Sequence, residues 1–318
     1  RADLVKSFRG VSVSVAWNEE ERYAIWHALN ALIAQHEEYS DAQWAMSQED
    51  LQPFRDIAAR LAPIDDPRRY ASLFDWSPPV TGHKFGDDGY DAKLEELRDN
   101  AIQEVLAQGV DQLEELIDNV PLPGVVGAHL AEVSAPPESE IIRWLETDRP
   151  SLHNAAMAYA RRRVGAKGSD WLRAALDHLS NASAREQLMG AVPFTKVFWT
   201  EVGTLEEPLQ NSYWQNVTYY DVPDDERAEA VGLLLQHERP WQAVGLLSVM
   251  LHREQQPDID LGCRALRAVI EAPGPAADRQ MSSYNIGQLL QYLERVAPDS
   301  SDLPMFEFTF FEFTHDHE

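Results

Sequence analysis

The residues able to do chemistry are few and scattered. His83 lies in the segment 75–89, close to Asp87 and Asp88, and a histidine beside carboxylates could form a general acid–base pair. A solvated loop needs fewer assumptions and is the favoured reading. The run His315-Asp316-His317-Glu318 holds four potential metal ligands, but side chains of adjacent residues diverge and do not close one tetrahedral site. His27 and His36 are nine apart and miss the i, i+4 face that helical ligands share. Cys263 is the single cysteine, which excludes an intramolecular disulfide. Its helical-looking surroundings, Leu261 to Leu266, suit a small buried hydrophobe. Arg161, Arg162 and Arg163, with Lys167, form the densest basic cluster. Among 53 carboxylates, neighbouring acidic faces are the expected partners.

Several signatures of catalysis are missing. There is no Gly-x-x-x-x-Gly-Lys-Ser/Thr phosphate loop, no His-Glu-x-x-His and no Gly-x-Ser-x-Gly. Gly124-Val125-Val126-Gly127 is too short for a dinucleotide fingerprint. No catalytic residue, cofactor site or metal ligand is assigned. What remains is surface. Of nine tryptophans, Trp26, Trp144, Trp171, Trp214 and Trp241 sit at helical core spacing, whereas Trp44 and Trp76 lie near turns and could anchor a partner. Trp44, Trp76, His83, Phe85, Arg161, Arg162 and Arg163 are therefore the candidate partner-binding residues.

The elements that position them read as helices. Asn18 can cap a helix whose first turn holds Glu19, Glu20 and Glu21, where carboxylates suit the dipole. Tyr23, Ile25, Trp26, Leu29, Leu32 and Ile33 follow with period 3.6. Ser47 to Asp50 resembles a capping box ahead of Leu51, Phe54, Ile57, Ala58 and Leu61. Asp66-Pro67 opens a short helix through Phe74. Residues 75–89 carry prolines, glycines and aspartates without periodicity, and form the expected exposed loop. The helical signal returns at Tyr90, and over the whole chain about fourteen helices, mostly joined by short breaks such as Arg239-Pro240, are amphipathic on one face. The one strand-like signal, Val11-Ser12-Val13-Ser14-Val15, is short and isolated. Alternation of helix and strand is absent, which disfavours an α/β fold. The expectation is an all-α, irregular α-solenoid of stacked helical hairpins, with an extended lead-in over 1–18, an N-terminal helical subdomain over 19–134 and a C-terminal helical-repeat subdomain over 138–318.

Composition narrows the partners. Lys and Arg number 27 against 53 Asp and Glu, giving a net charge of −26. Such a polyanion repels phosphate backbones and anionic headgroups. Hydrophobic residues make up 44%, enough for a substantial core. No run of ~18 apolar residues spans a bilayer, and no signal peptide opens the chain, so a cytoplasmic location is expected. The start at Arg1 and the aromatic run Met305 to Thr314, ending almost at once, set the expectation of a piece of a longer polypeptide.

Leu235-Gln236-His237-Glu238-Arg239-Pro240-Trp241-Gln242-Ala243-Val244-Gly245-Leu246-Leu247 resembles the turn and second helix of a tetratricopeptide-type unit, with Ala243 as the small residue that allows close packing. Pro257 comes too late for that family's ending, and only one unit matches. More broadly, Asn211 to Trp214, Arg239 to Ala243 and Phe306 to Phe313 are similar to helical-repeat regions of large bacterial multidomain proteins. Such regions often follow a nucleoside-triphosphatase or effector module, and some belong to anti-phage defence systems. The resemblance implies a sensor or scaffold. The expected function is non-enzymatic binding of a protein or peptide, with an acidic groove preferring basic or neutral partners. A hydrolase, such as a metal-dependent nuclease or phosphatase, and an oligomerisation spacer are the alternatives.

Overall fold

A computed structural model describes residues 17–78, 80, 83, 85–133, 138–272 and 279–311. Among them the chain is all-α. The one β feature is an isolated bridge between Val80 and His83. The expected lead-in and its strand-like Val11–Val15 signal lie, apart from residues 17 and 18, outside the described residues, as does His315–Glu318.

The chain forms two compact units, Arg1–Arg162 and Arg163–Glu318. The first begins with α1 (Glu19–Glu38) and α2 (Gln48–Leu61), which pack on each other. Asn18 starts α1 with a full capping box. Its Oδ1 accepts from the Glu21 N–H at 2.8 Å, and Glu21 accepts from the Asn18 N–H at 3.0 Å. At α2 only half of that device forms: Ser47 accepts from the Asp50 N–H, but Asp50 accepts from the Ser47 hydroxyl instead of its backbone. The shorter Asp cannot reach back as Glu would. Leu29, Ile33, Phe54, Ile57 and Ala58 close the shared core.

The segment opened by Asp66-Pro67 is a 3₁₀ helix, Pro67–Phe74. Asp66 caps it and pairs with Arg68, whose guanidinium also meets Glu20 and lies 4.4 Å from the Tyr23 ring centre. These contacts fasten α1 to the 3₁₀ turn. Next come α3 (Tyr90–Gln108), α4 (Val110–Asn119) and α5 (Pro123–Leu130), mutually packed and also packed on the 3₁₀ helix. The run Pro121 to Gly124, a break in the sequence pattern, yields the start of α5, because Pro123 occupies the first turn where its missing N–H costs nothing. Gly127 permits a close backbone approach: a Cβ there would lie 1.9 Å from the Ala155 carbonyl oxygen. The unit continues with α6 (Glu138–Arg143), a 3₁₀ turn (Trp144–Glu146) and α7 (Pro150–Lys167), within which the boundary falls. Arg149 is clasped by Glu114 and Asp118, while the Trp144 indole donates to Glu114 at 3.0 Å.

The second unit holds α8 (Ser169–His178), α9 (Ala182–Leu188), a 3₁₀ turn (Met189–Ala191), α10 (Lys196–Val202), α11 (Glu207–Asn216), α12 (Arg227–Gln236), α13 (Pro240–His252), α14 (Ile259–Glu271), α15 (Arg279–Val296) and α16 (Leu303–Thr309). From α12 onward each helix packs on the next and, in turn, on the one after it. That pattern is the packing of a helical-repeat fold. Ala243, in the first turn of α13, is fully buried.

Candidate interaction surface

The sequence-derived candidates separate into places of different character. Trp44 sits in the return from α1 to α2. The His36 ring accepts from the Met46 N–H through Nδ1 at 3.1 Å, which holds that return against the last turn of α1. Met46 takes the inward position against the α1–α2 core. Trp44, two residues earlier, is left at the rim with its ring 5.4 Å from His36 and 5.8 Å from Tyr39. Trp44 remains 45% exposed and Tyr39 50%.

Trp76, His83 and Phe85 belong to the loop between the 3₁₀ helix and α3. The loop is anchored although it lacks regular structure. The Tyr90 hydroxyl donates to the Pro78 carbonyl at 2.7 Å, the His83 N–H to Val80 at 3.1 Å, and the Tyr90 N–H to Asp87 at 3.1 Å. Val80 packs inward with Tyr90 and Leu94, against Leu73 and Leu97. Gly89 enters α3 at φ 87°, where a side chain would be strained. Inward anchoring leaves the largest rings outside: Trp76 is 81% exposed and Phe85 67%. Phe85 meets Tyr90 edge-on with centroids 5.5 Å apart.

Burial raises the Tyr90 hydroxyl pKa; Arg98 opposes this, and the carboxylates of Asp91 and Glu38 add to it. Glu38 is the last residue of α1, next to Tyr39.

His83 is half-buried, and its backbone rather than its ring makes the turn. Among the described residues no three His, Cys, Asp or Glu side chains gather in a way that could hold a metal ion. Arg161, Arg162 and Arg163 lie on α7, the first two exposed; Arg161 and Arg163 already engage other groups of the chain.

One histidine site was not legible beforehand. His129, buried near the end of α5, places Nδ1 3.0 Å from Asp99 and Nε2 3.6 Å from Glu95. Glu95 and Asp99 are i, i+4 on α3 and share one face. The short contact to Asp99, with Glu95 close to the other ring nitrogen, ties α5 to α3. The available sequence signal was a lone polar side chain late in the otherwise apolar run Pro123–Leu130.

In the second unit, the analogous polar tie is Arg239. Its Nη1 donates to the carbonyls of Trp214 at 3.0 Å and Val217 at 2.8 Å, capping the end of α11. His237 stacks on Trp214 with centroids 4.0 Å apart, and burial lowers its pKa from the usual 6.5. Phe194, Tyr213 and Trp214 complete an inward aromatic cluster. Trp144 and Trp171 are buried as their spacing implied, and Trp26 and Trp241 are partly buried. No helix among the described residues is long and apolar enough to cross a membrane.

Comparison with known proteins found no matching family model, no matching curated protein and no matching solved structure.

Proposed function

We propose that this chain is a non-enzymatic helical-repeat scaffold or sensor region that binds a protein or peptide. The observation carrying the reading is that Trp76 and Phe85 stand exposed on a loop that buried Val80 and the Tyr90–Pro78 hydrogen bond anchor to the rest of the unit. Large aromatic side chains supply contact area with little conformational freedom to lose, and they dominate interface energetics. The loop's hydrogen bonds reduce the ordering cost of binding. The resemblance to helical-repeat regions of large bacterial proteins, some in anti-phage defence, favours the same role.

The test is retention of one identified partner by immobilised chain, compared between wild type and the double substitution Trp76→Ser/Phe85→Ser. Both side chains are exposed, so the helical circular-dichroism signal stays unchanged while retention falls at least tenfold. Equal retention by the double variant rules out this surface as the binding site.

An oligomerisation role has one observation in its favour. On α16, Phe308 is 86% exposed and Met305 is exposed beside it, while Leu303 and Phe306 are buried. Light scattering over a range of concentrations distinguishes this reading, since self-association raises the average mass with concentration.

A further inference from the structure

We infer that His36 is a pH-sensitive latch on the return between α1 and α2. The neutral ring fastens the return to α1 through Met46; the protonated ring lets that end go. This holds whatever partner the chain binds.

Geometry fixes the direction of the bond. The Met46 backbone N–H lies against His36 Nδ1 at 3.1 Å. A backbone N–H only donates, so Nδ1 must accept and the ring proton must sit on Nε2. An imidazolium donates at both nitrogens and has no acceptor. When His36 takes up a proton the bond is therefore lost, and two donors are left facing one another. Two other histidines make the opposite contact. His129 Nδ1 meets the Asp99 carboxylate at 3.0 Å, and His153 Nε2 meets the Thr147 carbonyl. Those partners are acceptors, so their rings donate and go on donating when charged.

The surroundings let the ring change charge without unfolding the helix. His36 is half-buried, so water and protons reach it. It stands in the last turn of α1, where a cation suits the helix dipole. The ionisable groups about it are Glu37 and Glu38 on α1, Asp41 in the return, and Glu49, Asp50 and Arg55 on α2. Arg55 pairs with Glu37, and Asp50 accepts from the Ser47 hydroxyl. Of these side-chain types and histidine, only histidine ordinarily changes charge between about pH 5 and 8.

What the latch holds is the approach to α2. Within the return, the Ala42 N–H donates to the Tyr39 carbonyl and the Ala45 N–H to that of Ala42, both at 2.9 Å, and neither bond involves a titrating group. Met46 is partly buried against the α1–α2 core, and the Trp44 ring lies 5.4 Å from His36. Loss of the Met46 bond thus loosens the stretch from Trp44 to Met46 while both helices stay formed.

Nuclear magnetic resonance of the isotopically labelled full chain, between about pH 5 and 8, is the test. At the upper end His36 Nδ1 should show the shift of an unprotonated nitrogen and Nε2 that of an N–H; the reverse tautomer overturns the inference. As His36 titrates, the Met46 amide should lose protection against hydrogen exchange about fivefold, once the intrinsic exchange rate at each pH is divided out. The Glu21 amide is the internal control: its acceptor is the non-titrating Asn18 carboxamide at 2.8 Å, and its protection should stay constant. His36→Asn, whose amide oxygen accepts at every pH, should abolish the step. His36→Phe should abolish it too, with protection low throughout. Should a variant fold poorly, the wild-type tautomer and step decide alone. No step in the wild type, a midpoint that departs from that of His36, an equal step at Glu21, or a step surviving in a folded variant overturns the inference.

Discussion

The same chemical change, Gly to Ala, should have opposite effects at two helical positions. At Gly127 an added methyl would lie 1.9 Å from the Ala155 carbonyl oxygen, 2.6 Å from its carbon and 2.8 Å from its Cα. Ordinary contact begins near 3.4 Å, so α5 and α7 must separate by about 1.5 Å at this point. All three obstructing atoms are backbone, so no rotamer change relieves the clash. Separation would also disturb Val126 and Leu130 on α5 and Ala155 and Ala156 on α7, all of them buried. Overpacking of this kind costs about 1–3 kcal/mol, and the upper end applies where backbone is the obstacle. The helix-propensity gain of Ala over Gly, ~1 kcal/mol, offsets only part of it. At Gly232, inside α12, the same methyl meets nothing within 4 Å. There only the propensity term acts, and Gly232→Ala should stabilise by roughly 0.5–1 kcal/mol. Urea denaturation followed by circular dichroism measures both. Gly127→Ala should lower the unfolding midpoint and Gly232→Ala raise it. A neutral or stabilising Gly127→Ala would show that α5 and α7 do not meet there.

Two further outcomes follow from buried groups. Burial lowers the His237 pKa below its unfolded value of 6.5, so the unfolded chain binds the additional proton as pH falls through that value. The contribution of His237 to stability is thus fully present above about pH 6.5 and declines below it; His237→Gln should flatten this part of a stability-against-pH curve, and an unchanged curve would contradict the stacked geometry. Cys263 is buried, and desolvation raises its thiol pKa. A thiol reagent should therefore modify it slowly in the native chain and rapidly in urea; fast native reaction would refute its placement.

The features legible in the residue order were local. Apolar stripes of period 3.6 specify helices because a helix must hide that face, and α1 follows Asn18 and its glutamates closely. The Arg239-Pro240 break and the turn chemistry of 75–89 are equally near-neighbour properties. The 3₁₀ form of Pro67–Phe74 was not readable, since its apolar spacing fits either helix type. Which distant groups meet is settled by packing. His129 finds Asp99 across 30 residues, and Arg239 reaches Trp214 across 25. The exposures of Trp44 and Trp76 are of this kind too: a tryptophan near a turn faces solvent only when another side chain, here Met46 or Val80, has taken the place inside. Such outcomes depend on how helices far apart in sequence come to rest against each other, and one-dimensional periodicity does not contain that information.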